Sequence, residues 1–262
     1  MHVFINLFGF KIPSYGLMIV LGGLLANLIG ALMLKKDGKS FDDFILLEAY
    51  CILGGGIGAK LLYLIVSYKE IEWSRFFEKE YFAGIMQGGF VFYGGLIGGI
   101  AAALLAGKMH KLDLGYYFTH CIFLIPFIHG FGRVGCFMAG CCYGIPYDGP
   151  LAVVFPEGSF AIHGIKLFPV QLVEAVCLIL ISLIVFILTV KVKSRFTVEA
   201  YLILYSILRF FLEHYRYDEA RGGFLGISTS QWISIPLFIG AVISIIYRSK
   251  IRPSKGSSEV AA

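Results

Sequence analysis

The stretch His129–Gly144, HGFGRVGCFMAGCCYG, sets a histidine, an arginine, three cysteines and five glycines at the end of a long apolar run. An arginine at membrane depth costs about 2.5–3.5 kcal/mol on insertion scales, so such residues are paired or functional and face a cavity. Asp and Glu are absent from 114–147, so Arg133 must find its counter-charge on another helix or in a ligand. Tyr205, Arg209 and Glu213 form a second polar stripe. Their spacing of i, i+4, i+8 puts them on one helical face. Glu213 can neutralise Arg209, which leaves a purely structural pair as the plainer reading. Two intramembrane arginines with few acids nearby suit a phosphodiester, because each guanidinium fork can bind two oxygens. His129 lies one turn before Arg133, and its ordinary pKa of about 6.5 suits it to carry a proton. A buried histidine satisfied by a carbonyl is the alternative. Cys136 lies one turn beyond Arg133, where a guanidinium would make a thiol more reactive. Cys136, Cys141 and Cys142 lack a CxxC pair, so no metal is expected.

The elements that position these residues must cross a membrane. Of the 262 residues, 58% are hydrophobic and 15% charged, against about 25% charged in soluble domains. The net charge of +5 sits in short loops between apolar runs, so insertion topology explains it better than nucleic acid. Spans of about 20 apolar residues are expected at 13–34, 44–67, 85–107, 113–135, 167–190, 197–215 and 228–247. The predicted fold is an all-α polytopic membrane protein with seven transmembrane helices. Lysines and arginines concentrate in 35–43, 108–112, 191–196 and the tail, which places the N-terminus outside and the C-terminus in the cytoplasm.

The chain then divides into 1–135, holding spans one to four with an interfacial arm at about 68–84, and 136–166, a small extracytoplasmic head. Spans five to seven follow over 167–248, and 249–262 reads as a disordered cytoplasmic tail. Glycines crowd spans two and three, where small residues let helices approach closely. The pairs Gly88–Gly89 and Gly94–Gly95 flank Phe92 and Tyr93 and weaken a helix there. Gly94 and Gly95 are candidates to offer backbone N–H groups to an anion.

Several motifs in order resemble the prolipoprotein diacylglyceryl transferase family over most of the length. They are PSYGLM at 13–18, GGGIGAKLLY at 54–63 and QGGFVFYGGLIGG at 87–99, followed by GRVGCFMAGCCYG at 132–144, FPVQLVEA at 168–175, YSILRFFLEHYR at 205–216 and SQWISI at 230–235. The resemblance implies a membrane-embedded bacterial enzyme of the plasma membrane. It would move diacylglyceryl from phosphatidylglycerol to the lipobox cysteine of a preprolipoprotein and release glycerol phosphate. No metal or soluble cofactor is implied, and the enzyme is expected to act as a monomer. Arg133 and Arg209 match the family's two phosphate-facing arginines. Tyr15, Gly144, Tyr205 and Glu213 match other positions on which activity depends.

Three polar positions depart from the pattern. Lys60 also stands where arginine is usual. Tyr93 occupies the place of a histidine proposed as base, and an unperturbed tyrosine, with pKa about 10, is a poor one. Cys136 and Cys141 replace an asparagine and a glutamate. Either His129 takes over the proton in a true transferase, or the donor clamp survives while the acceptor is another thiol, a hydroxyl or a sugar. A non-enzymatic lipid-binding or transport bundle is the third reading.

Overall fold

The computed structural model describes residues 3–7, 9–217 and 223–251, so most of the expected tail lies outside the described residues. A hairpin of β1 (Phe4–Leu7) and β2 (Phe10–Pro13) leads into α1 (Ser14–Lys36). Then come α2 (Phe41–Val66), α3 (Lys79–Gln87), α4 (Phe92–His110), α5 (Leu114–Cys121) and α6 (Leu124–Ala139). Strands β3 (Val153–Val154) and β4 (Lys166–Leu167) pair antiparallel. They precede α7 (Val170–Val190), α8 (Thr197–Leu212), the hairpin β5 (Gly223–Phe224)–β6 (Ile227–Ser228) and α9 (Thr229–Ile251).

Among the described residues, α1, α2, α4, α7 and α9 are long and apolar enough to cross a membrane. The pair α5 and α6, bent by 51° at a short break, makes a sixth span if counted as one. Helix α8 has 16 residues, a rise of about 24 Å, which is short of the roughly 30 Å of a hydrocarbon core. A 3-10 turn at Glu213–Tyr215 continues it.

The chain forms two compact units, one of residues 31–117 and one of residues 1–30 with 118–262. In the first, α2 and α4 pack through glycine. A Cβ on Gly58 would strike the carbonyl oxygen of Gly94, and one on Gly98 the carbonyl oxygen of Gly54. With no hydrophobic drive between helices in lipid, such close backbone approach is how they associate. Gly58→Ala is therefore expected to cost about 1–3 kcal/mol, read as a lower Tm in detergent; an unchanged Tm would show that the helices can slide apart freely.

The expected third span, 85–107, is interrupted. Helix α3 stops at Gln87, Gly89 turns through φ +64°, and α4 starts at Phe92. Lys60 stabilises the break by donating to the carbonyls of Ile85 (2.7 Å), Gly88 and Gly89 (3.2 Å). Its charge thus serves backbone acceptors that a glycine-broken helix leaves unsatisfied. Between α2 and α3, the expected arm carries a ring cluster: Trp73 lies 5.1 Å from Tyr68 and 5.3 Å from Phe76.

In the other unit α7 packs against α6 and α8, and α8 against α9. Helix α7 is apolar almost throughout, yet Gln171 and Glu174 in its first turns are buried. Residues 140–169 fold around buried Phe155, Ala161 and Leu167, with Phe137, Tyr143 and Val153 against them. Short as it is, this segment has a core of its own beside the end of α6.

Candidate active site

The end of α6 and the start of α7 meet around one carboxylate. Arg133 Nε donates to Glu174 Oε2 at 2.8 Å, and Arg133 Nη2 contacts the same oxygen. Arg216 Nη1 reaches that oxygen at 3.3 Å. All three residues are buried, with Glu174 only 2% exposed. The counter-charge that the sequence required from elsewhere thus comes from α7, 41 residues on.

Arg209, at the end of α8, forms the second half. Its Nη2 donates to Ser230 Oγ at 2.8 Å and lies 2.8 Å from Glu213 Oε2. The approach to Glu213 is close in distance but too oblique for a hydrogen bond. Arg209 Nη1 and Glu213 Oε2 are therefore buried without a hydrogen-bond partner among the described residues. Arg133 and Arg216 thus share Glu174, and Arg209 has Glu213 beside it. Buried donors left unsatisfied cost free energy, so this arrangement favours an anion that supplies the missing acceptor.

His129, Tyr205 and Tyr15 belong to the same unit as these arginines. The His129 ring lies 5.9 Å from that of Tyr205, which stacks on Tyr201 at 5.8 Å. Tyr15, 45% exposed, stands at the start of α1. Its backbone comes close to α6 because position 135 is glycine: a Cβ there would lie 3.0 Å from Tyr15 Cα. Gly144 has a packing role. A Cβ on it would strike the carbonyl oxygens of Phe168 and Tyr215, and it bridges to Arg216. Ile145 N donates to Tyr215 O and Tyr217 N to Tyr143 O, so the strand-like pairing that holds Arg216 in place depends on that missing side chain.

Tyr93, Gly94 and Gly95 belong to the α2–α4 unit. Both glycines lie inside α4 against α2, and Gly95 N donates to Val91 O at 3.2 Å, so the Gly95 N–H is already engaged. The helix restarts at Phe92, early enough to satisfy that donor.

The three cysteines converge. Helix α6 ends on Gly140 in the left-handed conformation, and Cys142 is also left-handed at φ +55°. The sulfurs of Cys136, Cys141 and Cys142 all lie within 4.8 Å of one another, and no disulfide joins them. Arg133 Nη1 lies 3.8 Å from Cys136 Sγ. Gln171 Nε2 donates to Cys141 O at 2.9 Å and pins the loop to α7. Hydrogen bonds from the Cys136 and Cys141 thiols hold Cys142 below the ordinary thiol range, with Arg133 and Arg216 adding to this against burial. The same thiol contacts push Cys141 up.

Sequence reasoning singled out Arg133, Arg209 and Glu213 but did not place Arg216 or Ser230 in the site. It gave Glu174 no role. Arg216 follows α8 in a stretch that looks like a loop, and only folding buries it. Glu174 carried the available signal, being an acid in the first turns of an otherwise apolar span.

A family profile described as prolipoprotein diacylglyceryl transferase matches residues 2–247. Among similar proteins are the phosphatidylglycerol–prolipoprotein diacylglyceryl transferase of Clostridium tetani, 36% identical over 94% of this chain and 97% of its own length, and transferase 2 of Clostridium perfringens, 35% identical over 91% of each. The Pasteurella multocida transferase is 32% identical over 88% of this chain and 86% of its own.

Proposed function

The chain belongs to the prolipoprotein diacylglyceryl transferase family, and from that premise we propose that it transfers diacylglyceryl from phosphatidylglycerol to the lipobox cysteine of a preprolipoprotein. The two buried arginines Arg133 and Arg209, with Arg209 Nη1 lacking a hydrogen-bond partner among the described residues, carry this reading. A phosphodiester brings one negative charge and free acceptor oxygens. Arg133 and Arg209 hold it, while Glu174 and Arg216 keep Arg133 in place. The acceptor thiol loses its proton to His129, and its sulfur attacks the glyceryl methylene carbon. The carbon–oxygen bond breaks, and glycerol phosphate leaves on the arginines. Donors preorganised where charge develops dominate such steps. Tyr15 and Tyr205 line the donor's path.

The enzyme works as a monomer and multi-pass protein of the bacterial plasma membrane. Helix α8 with its 3-10 extension completes a seventh span, the N-terminus lies outside and the C-terminus in the cytoplasm. Residues 136–166 form the extracytoplasmic head, and 68–84 lie along the outer interface.

The test is transfer from labelled phosphatidylglycerol in vesicles to a lipobox peptide. The unmutated chain is expected to yield the thioether product, and Arg209→Ala to lower the rate by about 10²-fold or more. No product from the unmutated chain would overturn the reading. Glycerol phosphate release without peptide product would move the acceptor to another thiol, hydroxyl or sugar, an outcome favoured by the altered residues Tyr93, Cys136 and Cys141.

A further inference from the structure

We propose that Cys136, Cys141 and Cys142 form a three-thiolate site for a zinc ion that binds and activates the acceptor thiol, an inference that rests on the transferase reading above. The sequence alone argues against a metal, because C-x4-C-C lacks the paired spacing of zinc motifs. The fold removes that objection. Successive side chains in extended chain point to opposite sides, so Cys141 and Cys142 would ordinarily diverge. Cys142 instead sits at φ +55°, a conformation costing an ordinary residue roughly 1–2 kcal/mol. Backbone strain of this kind persists where the surroundings enforce it. The result is three sulfurs within 4.8 Å of one another, against about 3.8 Å for sulfurs on one tetrahedral zinc with Zn–S of about 2.3 Å. Closing that gap takes a small contraction.

The loop is fixed from several sides. Gly140 N and Cys141 N both donate to Cys136 O, at 2.9 and 3.1 Å. Gln171 holds Cys141 O, and Gly144 bridges to Arg216. The Arg133 guanidinium 3.8 Å from Cys136 Sγ suits a thiolate better than a thiol. Soft thiolates select zinc over hard cations.

Three protein ligands leave a tetrahedral ion one open position, as in catalytic rather than structural zinc sites. Cys141 and Cys142 are only half-buried, so the open position is reachable. The proposed occupant is the acceptor cysteine. A thiol that coordinates zinc is deprotonated outright, which removes the need for a strong base. The thiol proton passes to His129. The zinc-bound sulfur then forms its bond to the glyceryl methylene carbon, and the carbon–oxygen bond breaks with its electron pair on the departing phosphate oxygen, held by Arg133 and Arg209. Charge and atoms balance without an oxidant or reductant.

The experiment is elemental mass spectrometry on the purified full chain in detergent, alongside the lipobox transfer assay. Roughly one zinc per chain is expected, lost in Cys142→Ser and retained in Cys51→Ser. Cobalt in its place should give a thiolate-to-metal absorption band that Cys136→Ser abolishes. Stripping with a chelator should lower transfer by more than about tenfold, with recovery on adding zinc. A metal-free chain that still transfers, whether its three thiols are free or paired as a disulfide, overturns the proposal and leaves the transferase reading intact. Zinc bound with transfer indifferent to chelation overturns the activating role. A zinc-loaded chain that gives no thioether product overturns the transferase reading itself.

Discussion

Glu174→Ala is expected to destabilise the protein by about 3–5 kcal/mol, because it strips the shared counter-ion from two buried guanidiniums at once. Arg133 and Arg216 converge on the same Oε2. Breaking a buried pair by removing one partner strands the other charge away from water, and here two guanidiniums lose the carboxylate they share. For a chain of this size each kcal/mol lowers Tm by roughly 2–4 °C, so a fall of roughly 6–20 °C is expected in detergent. Glu174→Gln should recover part of that loss through its amide oxygen, but not the charge. A shift of less than about 2 °C for the alanine variant would mean that lipid or water already compensates the arginines, and the carboxylate would then not be the keystone of the cluster.

Arg133→Ala should do the reverse, sparing the fold and removing the reaction. Glu174 keeps Arg216 as a partner at 3.3 Å, so no buried charge is left alone and the Tm should fall less than for Glu174→Ala. The transfer rate, in contrast, should drop by at least about 10²–10³-fold, the scale on which a preorganised donor to a developing anion contributes. Arg133→Lys should restore only a fraction. An ammonium supplies the charge but not the planar fork that can grip Glu174 with one edge and a phosphate with the rest. Measured side by side, stability and transfer rate separate the two residues. A variant that loses fold and activity in equal measure at Arg133 would make it a structural residue rather than a donor clamp.

How much of this was legible in the sequence differs from residue to residue. Apolar runs of about 20 residues announce a membrane bundle because lipid admits only helices with every backbone group satisfied. The runs of α1, α2, α4, α7 and α9 were each visible this way. Arg133 and Arg209 stood out for the same reason, since charge at that depth is too costly to be incidental. The spacing of Arg209 and Glu213 also foretold their pairing, a contact fixed by one helical turn. The glycine pairs marked a weak point beside Phe92, but where the chain breaks and how short α8 is were harder to see, because hydropathy is blind to where a glycine turns or a helix stops.

The solvent, the helices and the identity of the charges that must be matched therefore follow from local composition and spacing. How the charges are matched follows from the folded chain. It set Glu174 between Arg133 and Arg216, packed Gly94 and Gly95 against α2, and folded Cys142 back so that three sulfurs meet. These are contacts between residues far apart in the chain, or turns fixed by packing, and no periodicity records them. The stretch His129–Gly144 announced its chemistry at once, but its counter-ion came from α7 and its partners from the far end of α8.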